Sequence, residues 1–400
     1  MSARNQAAVY LLGAGAFAVG TSAYVVSGVL PEVSSELHVS LTAAGQLATA
    51  FSLSYAVGAP ILSTLTGRWE RRTLLIAALV LAALGNLIAA LATDYSVLIV
   101  GRVVAAFGAA VYTPAATLFA TGLMRPEERG RAVAIVFGGL TFALVLGVPA
   151  GSLLGPTLGY KGVFALITAV AVLLAIVERA ALPKLEAPPL VGLRERFAGV
   201  TDRRVQIVLA MTVLAVLGAF SVYIYIVPLL KHTAGLSGSA AGILLLLYGV
   251  GAVVGNYSGG RVTDRFGSLR TLLVLLVGVT VVVGTLDLTA STEVGAGAAL
   301  FVWGMLTWAF NPPIQNLLLE LGGGLLISLN ASAIYLGAGL SAVVGGVIIS
   351  TIGVGYLPLL AALLSLVVLG LLGLLWRDAR LRRVEELERE EDVYLTAAVE

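Results

Sequence analysis

The stretch AAVYLLGAGAFAVGTSAYVVSGVL (7–30) runs through the chain's first apolar segment without one Asp, Glu, Lys, Arg or His. About 20 apolar residues in a helix are enough to cross the hydrocarbon core of a bilayer. The core of a cleaved signal peptide has only about 7–15 residues, and PEVSSEL (31–37), which follows, offers no small-residue cleavage site. We therefore predict that residues 7–30 form a retained first membrane span.

The rest of the chain has the same character. Its 400 residues are 59% hydrophobic and only 12% charged, whereas soluble domains carry about 25% charged residues. A surface of that composition is stable in lipid rather than in water. The apolar runs are continuous and do not alternate, which argues against a β-barrel. The breaks between them predict an all-α membrane protein with twelve spans, at 7–30, 44–66, 73–92, 96–122, 131–154, 162–182, 205–230, 238–260, 269–290, 295–319, 325–351 and 356–376.

The basic residues are divided unequally between the two sides of this arrangement. Of the 24 Lys and Arg residues, 21 fall on the side that holds both chain ends. Lys161 and Lys231 fall on the other side, and Arg102 lies within a span. Lys and Arg favour the cytoplasmic side of a membrane. This pattern predicts an even number of spans, both termini in the cytoplasm, and a plasma membrane location, which in a bacterium is the inner membrane.

A polar connection near the middle divides the chain into similar parts. Pro31 and Pro228, Gly58 and Gly255, and Arg68 and Arg265 are each 197 residues apart. A parallel repeat of six spans is the plan expected of a rocker-type transporter. The predicted domains are an N-terminal six-helix bundle (1–182), a cytoplasmic central loop (183–204), a C-terminal six-helix bundle (205–376) and a charged, helical cytoplasmic tail (377–400).

The loop between spans 8 and 9 reads GRVTDRFGSLR (260–270). Gly260 and Gly267 permit a tight turn, Asp264 can face a helix N-terminus, and Arg265 holds the loop in the cytoplasm. The motif resembles the loop signature of the major facilitator superfamily. That resemblance implies a latch that joins the two halves of the protein in one conformation.

The equivalent loop between spans 2 and 3, STLTGRWERR (63–72), departs from the signature. Gly67 stands where the acid is expected, and Glu70 stands where the second glycine is expected. A latch at this loop is therefore in question.

Span 5 is similar to the glycine–proline signature of the family's antiporters, with Gly138, Gly147, Pro149 and Gly151. Small residues at every fourth position let helices approach closely in lipid. Two such faces are Gly147, Gly151 and Gly155 in span 5, and Gly251, Gly255 and Gly259 in span 8. We expect these faces to meet across the interface between the halves; the alternative is that each packs within its own half.

Further stretches resemble the drug and sugar efflux branch of the family, whose members include arabinose-efflux-like and chloramphenicol-resistance-like proteins. They include GTSAYVVSGVLPEV (20–33), YIYIVPLL (223–230), WAFNPPIQ (308–315) and SLNASAIYLG (328–337). The resemblance implies two pseudo-symmetric six-helix bundles, a cavity at mid-membrane and alternating access. Pro312 and Pro313 are expected to break or bend span 10.

Arg102 is the clearest ionisable residue inside a span, and such residues are functional candidates by default. It resembles the span 4 arginine that the family ties to proton coupling. The alternative is an arginine that snorkels to the outer interface. Ala23 occupies the place where related efflux proteins carry an acid in span 1, and no carboxylate is expected in the middle of any span. Glu32 and Asp94, near the outer ends, are the candidate acids, with solvated loop acids as the alternative.

The family resemblance implies that spans 1, 4, 7 and 10 line the cavity. Aromatic walls with a few polar groups suit a moderately apolar ligand. The candidate residues, each of which could instead serve helix packing, are Tyr24, Ser27, Arg102, Tyr112, Tyr223, Trp308, Asn311, Gln315, Asn330 and Tyr335.

These observations favour a monomeric secondary transporter that exports a drug or small metabolite, in exchange for protons. The alternative is an uncoupled facilitator or a sugar or nucleoside exporter, which the missing span 1 acid favours. The chain has neither an H-E-x-x-H motif nor a nucleotide-binding G-x-x-x-x-G-K-[ST] loop. With no cysteine and two histidines, it predicts no metal and no cofactor. The expected partners are the substrate, protons and lipid; no nucleic acid is expected.

Overall fold

The structure is a computed structural model that describes residues 3–125, 129–185, 198–236, 238–322 and 324–397, and these residues form helices without any strand. Most of the predicted central loop (183–204) lies outside the described residues. The helices are α1 Ala3–Tyr24, α2 Val26–Glu36, α3 Leu41–Leu65, α4 Arg71–Leu91, α5 Tyr95–Gly122, α6 Arg129–Ala181, α7 Arg203–Ile224, α8 Ile226–Ala234, α9 Gly238–Phe266, α10 Ser268–Gly284, α11 Leu286–Thr289, α12 Glu293–Ala309, α13 Asn311–Gly322, α14 Gly324–Thr351 and α15 Leu357–Ala397.

Nine helices in the described ranges are long and apolar enough to cross a membrane. One of them, α6, turns back at Gly159, whose φ of 64° no β-branched or bulky residue would readily adopt. Gly139 and Glu178, on either side of that turn, both contact the same part of α1 at Gly13 and Gly15. α6 therefore supplies spans 5 and 6, and with α3 and the shorter α10 the chain makes the twelve passes that the sequence predicts.

Four of the predicted spans are interrupted. Span 1 breaks between α1 and α2, span 7 between α7 and α8 at Tyr225, span 9 between α10 and α11 at Thr285, and span 10 between α12 and α13 at Phe310. The last break directly precedes the sequence NPP (311–313), as expected from its two prolines. Broken helices at membrane depth are found where protein lines a binding site.

The two ends of the helix bundle differ in charge. We call the end that carries the α3–α4 turn (66–70) and Gly267 the Arg-rich end, and the end that carries the α2–α3 turn (37–40) and Gly235 the Arg-poor end. The charge partition predicts that the Arg-rich end is cytoplasmic. α15 continues unbroken past the last span, so that the predicted tail is helical as far as Ala397.

Glycines bring neighbouring helices into direct backbone contact. A Cβ on Gly85 of α4 would lie 2.2 Å from the backbone nitrogen of Ala105 on α5, and a Cβ on Gly255 of α9 would lie 1.9 Å from the carbonyl oxygen of Met305 on α12. Close backbone approach of this kind is the main source of helix association in lipid. The domain boundaries themselves stay predictions.

Candidate functional site

Arg102 lies on α5, and its side chain is completely buried (0% exposed). Its guanidinium donates one hydrogen bond to the carbonyl oxygen of Ser22 at 2.8 Å and another to the Ser22 hydroxyl at 3.3 Å. Ser22 lies in the last turn of α1, where carbonyl groups lose their helical partners. The break between Tyr24 and Val26 is thus capped by a buried cation, an arrangement that satisfies the free carbonyl.

Aromatic rings enclose the same guanidinium. Its Cζ atom lies 4.5 Å from the centroid of Phe51 and 5.5 Å from that of Phe164, within the range of cation–π attraction. Asn86 on α4 extends the network, because its Oδ1 accepts from the Ser22 hydroxyl at 2.8 Å. Arg102 therefore points inward between α1, α4 and α5, and the structure does not support the snorkelling alternative.

Neither candidate acid reaches Arg102. Asp94 is exposed and caps the start of α5, where it accepts from the backbone N–H groups of Ser96 and Val97 at 2.9 and 3.1 Å. Glu32 is half-buried on α2, and its carboxyl carbon lies 2.9 Å from the Cβ position of Gly155 on α6. Within the described residues Arg102 has no carboxylate partner, and the coupling roles of both acids stay predictions.

A chain of aromatic rings runs from α1 across α7 and α9 to α12. The ring centroids are 6.3 Å apart for Tyr24 and Phe220, 5.7 Å for Phe220 and Tyr223, 4.8 Å for Tyr223 and Tyr248, and 4.8 Å for Tyr248 and Trp303. The sequence indicated Tyr24 and Tyr223 but missed the other three. An aromatic residue inside a uniformly apolar span carries no sign of the face it occupies, so periodicity could not have found them.

A small apolar cavity of about 60 Å³ lies beside these rings, between α7, α10, α12 and α15. Ligand pockets commonly enclose about 300–1,000 Å³ and combine apolar walls with a few polar groups, so that this cavity alone is smaller than a typical ligand pocket. The indole Nε1 of Trp303 is buried without a hydrogen-bond partner in the described part of the chain. The cavity is lined in part by Phe220, Val279, Trp303, Thr307, Phe310 and Ser365.

Several predicted cavity residues are half-exposed. Tyr335 on α14 stacks on Tyr55 of α3, with centroids 3.5 Å apart, and Gln315 donates to the side-chain oxygen of Asn311 at 3.1 Å. Trp308 and Tyr24 are also half-exposed. These five residues remain available to a ligand.

Other predicted cavity residues are packed between helices. The Oδ1 of Asn330 accepts from the Thr212 hydroxyl at 2.7 Å, inside the α7–α14 contact. Ser27 is 4% exposed at the start of α2, and Tyr112 is 0% exposed. A contact of these side chains with substrate therefore stays a prediction.

The two halves of the chain are joined at the Arg-poor end. Within the C-terminal half, Tyr225 at the break in span 7 donates to the carbonyl of Ala342 on α14 at 2.9 Å, and the same hydroxyl lies against Gly45 of α3 in the other half. Side chains of α3 form what we call the α3–α14 clasp, in which they donate to backbone carbonyls: Thr42 to Gly346 at 3.3 Å, Gln46 to Ala342 at 3.1 Å and Thr49 to Gly339 at 3.0 Å.

A second junction between the halves lies between α6 and α9. The Cα of Val145 lies 2.6 Å from the Cβ position of Gly249. Nearer the Arg-rich end, Gly138 of α6 and Gly260 of α9 have no atom of the described residues within 4 Å of their Cβ positions. In the described part of the chain these two helices therefore touch at Val145 and Gly249 but not at Gly138 or Gly260.

Spans 5 and 8 meet as expected, but their glycine faces do not, and this expectation was wrong. Each face packs within its own half because only there do the backbones approach closely. Gly147, Gly151 and Gly155 of α6 contact Tyr24, Val25 and Glu32 of the first span, whereas Gly251, Gly255 and Gly259 of α9 contact Phe301, Met305 and Ala309 of α12.

The 260–270 motif adopts the turn that its glycines predict. Gly267 has a φ of 81° and stands at the N-cap of α10. Asp264 and Arg265 are exposed, and within the described residues no ion pair engages Asp264. The role of the motif as a latch therefore stays a prediction.

Glu70, which replaces a glycine of the signature, caps α4. Its carboxylate accepts from the N–H groups of Arg72 and Thr73, both at 2.9 Å, and from the N–H of Leu185 after α6 at 3.2 Å. Partial burial raises the pKa of Glu70, but these bonds and one from the Thr73 hydroxyl outweigh it and lower the pKa to about 2. The loop therefore fastens α4 to the end of α6.

Glu178 is a buried acid near the end of a predicted span, and the sequence-based search for candidate acids missed it. It is 0% exposed on α6, inside the predicted span 162–182, and its Oε1 accepts a hydrogen bond from Tyr112. Because Arg179 is adjacent, Glu178 and Arg179 together resemble the charged residues at the solvent-exposed end of a span. Helical spacing was the available signal, because Glu178 follows Ala175 by three residues and precedes Leu182 by four, and both belong to a buried cluster.

Comparison with known proteins adds to this geometry. The sequence model described as Major Facilitator Superfamily matches residues 12–324. The chain is 33% identical over 359 residues to the uncharacterized MFS-type transporter YbcL of Bacillus subtilis (strain 168), which covers 89% of this chain and 92% of the relative. It is 32% identical over 360 residues to the inner membrane transport protein YdhP of Escherichia coli (strain K12), covering 88% and 92%. It is 33% identical over 326 residues to the chloramphenicol resistance protein of Streptomyces lividans, covering 79% and 81%.

Proposed function

The chain belongs to the major facilitator superfamily, so that it is a membrane-spanning transporter and not an enzyme, and we propose that it exports small, moderately apolar molecules in exchange for protons. The observation that carries this proposal is the one-sided closure of the molecule. The α3–α14 clasp joins the halves at the Arg-poor end, whereas in the described residues α6 and α9 make no contact at Gly138 or Gly260, nearer the Arg-rich end. A conformation of this kind is one of the two states of an alternating-access cycle.

The chemistry of the interior supports the substrate class. The chain of aromatic rings and the small adjoining cavity offer an apolar surface with few polar groups. Arg102 is already bonded to Ser22 and enclosed by rings, so that it presents no free cation to an acidic substrate. A relative named chloramphenicol resistance protein points to the same class of cargo. The name of YdhP supports placement in an inner membrane.

A second candidate is export without protons. Ala23 stands where an acid is expected in span 1, and Arg102 has no carboxylate partner in the described residues. Both observations favour a facilitator over an antiporter that uses the family's span 1 acid.

Flux measurements in proteoliposomes separate the two candidates. Purified protein would be reconstituted with a pH-sensitive dye inside, and chloramphenicol, other amphipathic drugs, sugars and nucleosides would be added singly under an imposed proton gradient. The test variant is Arg102→Ala. The control is Arg261→Ala, which removes an exposed arginine stacked on Tyr257 of its own helix at 4.0 Å.

We expect drugs to drive proton movement, Arg102→Ala to lower it at least ten-fold, and Arg261→Ala to leave it unchanged. Drug flux without proton movement would support the facilitator. Flux of sugars or nucleosides alone would contradict the proposed substrate class.

A further inference from the structure

Glu178 occupies an environment that disfavours a charge. It is completely buried among α1, α5 and α6. Within the described residues its Oε1 forms a hydrogen bond only with the Tyr112 hydroxyl, and its Oε2 has no hydrogen-bond partner. Within the described residues no Lys, Arg or His forms an ion pair with it. An unpaired carboxylate in such a place is strongly disfavoured, and the acid form removes the unpaired charge.

The hydrogen-bond geometry also requires one more proton than the ionised form supplies. The Tyr112 hydroxyl is within bonding distance of two oxygens, Oε1 of Glu178 and the carbonyl of Leu12, the latter at 3.3 Å. A phenol has a single proton to donate. Both contacts are hydrogen bonds together only when protonated Glu178 donates to Tyr112 and Tyr112 donates to Leu12.

No neighbouring basic side chain stabilises the charged form of Glu178 in place of a bound proton. From α4, Arg72 donates to the carbonyl of Leu182 at 3.1 Å, about 6 Å further along α6 than Glu178. Arg71, also on α4, is buried without an ion pair to Glu178. Arg179 on α6 is exposed. The turn of α1 that covers Glu178 carries no charge, and α5 contributes only the tyrosine.

α1 lies directly on the two polar groups. A Cβ on Gly15 would lie 1.9 Å from the Tyr112 hydroxyl and 2.7 Å from Oε1 of Glu178. Two turns further along, about 10 Å, the carbonyl of Ser22 binds Arg102. A movement of α1 would therefore disturb the arginine site and uncover Glu178 together.

We propose that Glu178 with Tyr112 is a proton-binding site, which holds a proton while α1 covers it and releases it towards the Arg-rich end when α1 moves away. The transport role rests on the proposed antiport; the proton binding itself does not. Release converts the carboxylic acid to a carboxylate, which the exposed Arg179 and incoming water can then stabilise.

Infrared spectroscopy of the purified, substrate-free protein tests the proton directly. At neutral pH we expect a carbonyl band of a protonated carboxyl that is absent from Glu178→Gln, shifted in Tyr112→Phe, and unchanged in Glu320→Gln, which alters an exposed acid. The glutamine amide can still donate to Tyr112, so that this variant is expected to fold. In proteoliposomes Glu178→Gln should carry substrate with at least ten-fold less proton movement.

A spectrum of Glu178→Gln identical to that of the parent protein would overturn the proposal. The proposal would also be overturned if Glu178→Gln lost the band but moved the same number of protons per substrate as the parent protein. Glu178 would then be a structural acid. A parent protein that moves substrate without protons would refute the antiport alone, while the band would still decide whether Glu178 binds a proton.

Discussion

The α3–α14 clasp predicts how easily the closed end opens. Gln46 donates from α3 to the carbonyl of Ala342 on α14 at 3.1 Å, and Gln46→Ala removes that bond from the closed state only. In the open state water can satisfy the same groups. We therefore expect the variant to shift the population towards molecules that are open at the Arg-poor end.

The size of the shift follows from the strength of one bond. A neutral hydrogen bond contributes about 0.5–1.5 kcal/mol net, which corresponds to about a 2- to 13-fold change in the ratio of open to closed molecules. The native chain has no cysteine, so that in this protein a maleimide can label only the single thiol that is introduced. Val145, 8% exposed opposite Gly249, is the reporter site as Val145→Cys.

The assay is the rate at which a membrane-impermeant maleimide labels this thiol from outside intact cells. The control is Gln206→Ala, since Gln206 donates to the carbonyl of Val200 at 2.9 Å near the start of α7 and does not join the halves. Gln46→Ala should raise the rate about 2- to 13-fold, and Gln206→Ala should leave it unchanged. Equal rates in the two variants would refute the reasoning.

Three further variants test other parts of the structure. In Gly255→Ala the new Cβ would lie 1.9 Å from the Met305 carbonyl oxygen, and the two helices must move apart until this distance reaches the ordinary 3.4 Å. We expect thermal unfolding in detergent to show a loss of stability of about 1–3 kcal/mol. The control Gly260→Ala places its Cβ in open space and should be neutral or stabilising. Glu70→Ala should cost about 0.5–2 kcal/mol at neutral pH. The native pKa of about 2 is below the ordinary 4.5, so that the difference from the parent should persist above about pH 4.5 and vanish as the pH falls towards 2. Asn330→Ala should lower stability by about 1 kcal/mol and leave substrate affinity unchanged, while weaker binding without loss of stability would place Asn330 in the cavity.

Much of the fold follows from the sequence because lipid imposes a simple rule. Each backbone polar group in a span must be bonded within its helix, so that apolar length and broken runs locate the spans, and the prolines after Asn311 locate a break. The face of a helix on which a given side chain lies does not follow from the sequence in the same way. In a soluble helix polar residues mark the outer face, but here the face towards lipid is as apolar as the core.

The glycine faces of spans 5 and 8 and the buried Glu178 show the same limit. Small residues at every fourth position predict close packing but do not identify the helix that they meet. Glu178 beside Arg179 has the composition of a helix end, and only the packing of α1 shows that one side chain is buried and the next exposed.

The length of α15 has a practical consequence. Its 41 residues extend about 60 Å as one helix, whereas a bilayer core is only about 30 Å thick. About half of the helix therefore extends beyond the lipid at the Arg-rich end, as a helical extension continuous with the last span. A small soluble protein fused in helical register to this extension would turn with the transporter, and would provide an alignment marker for electron microscopy.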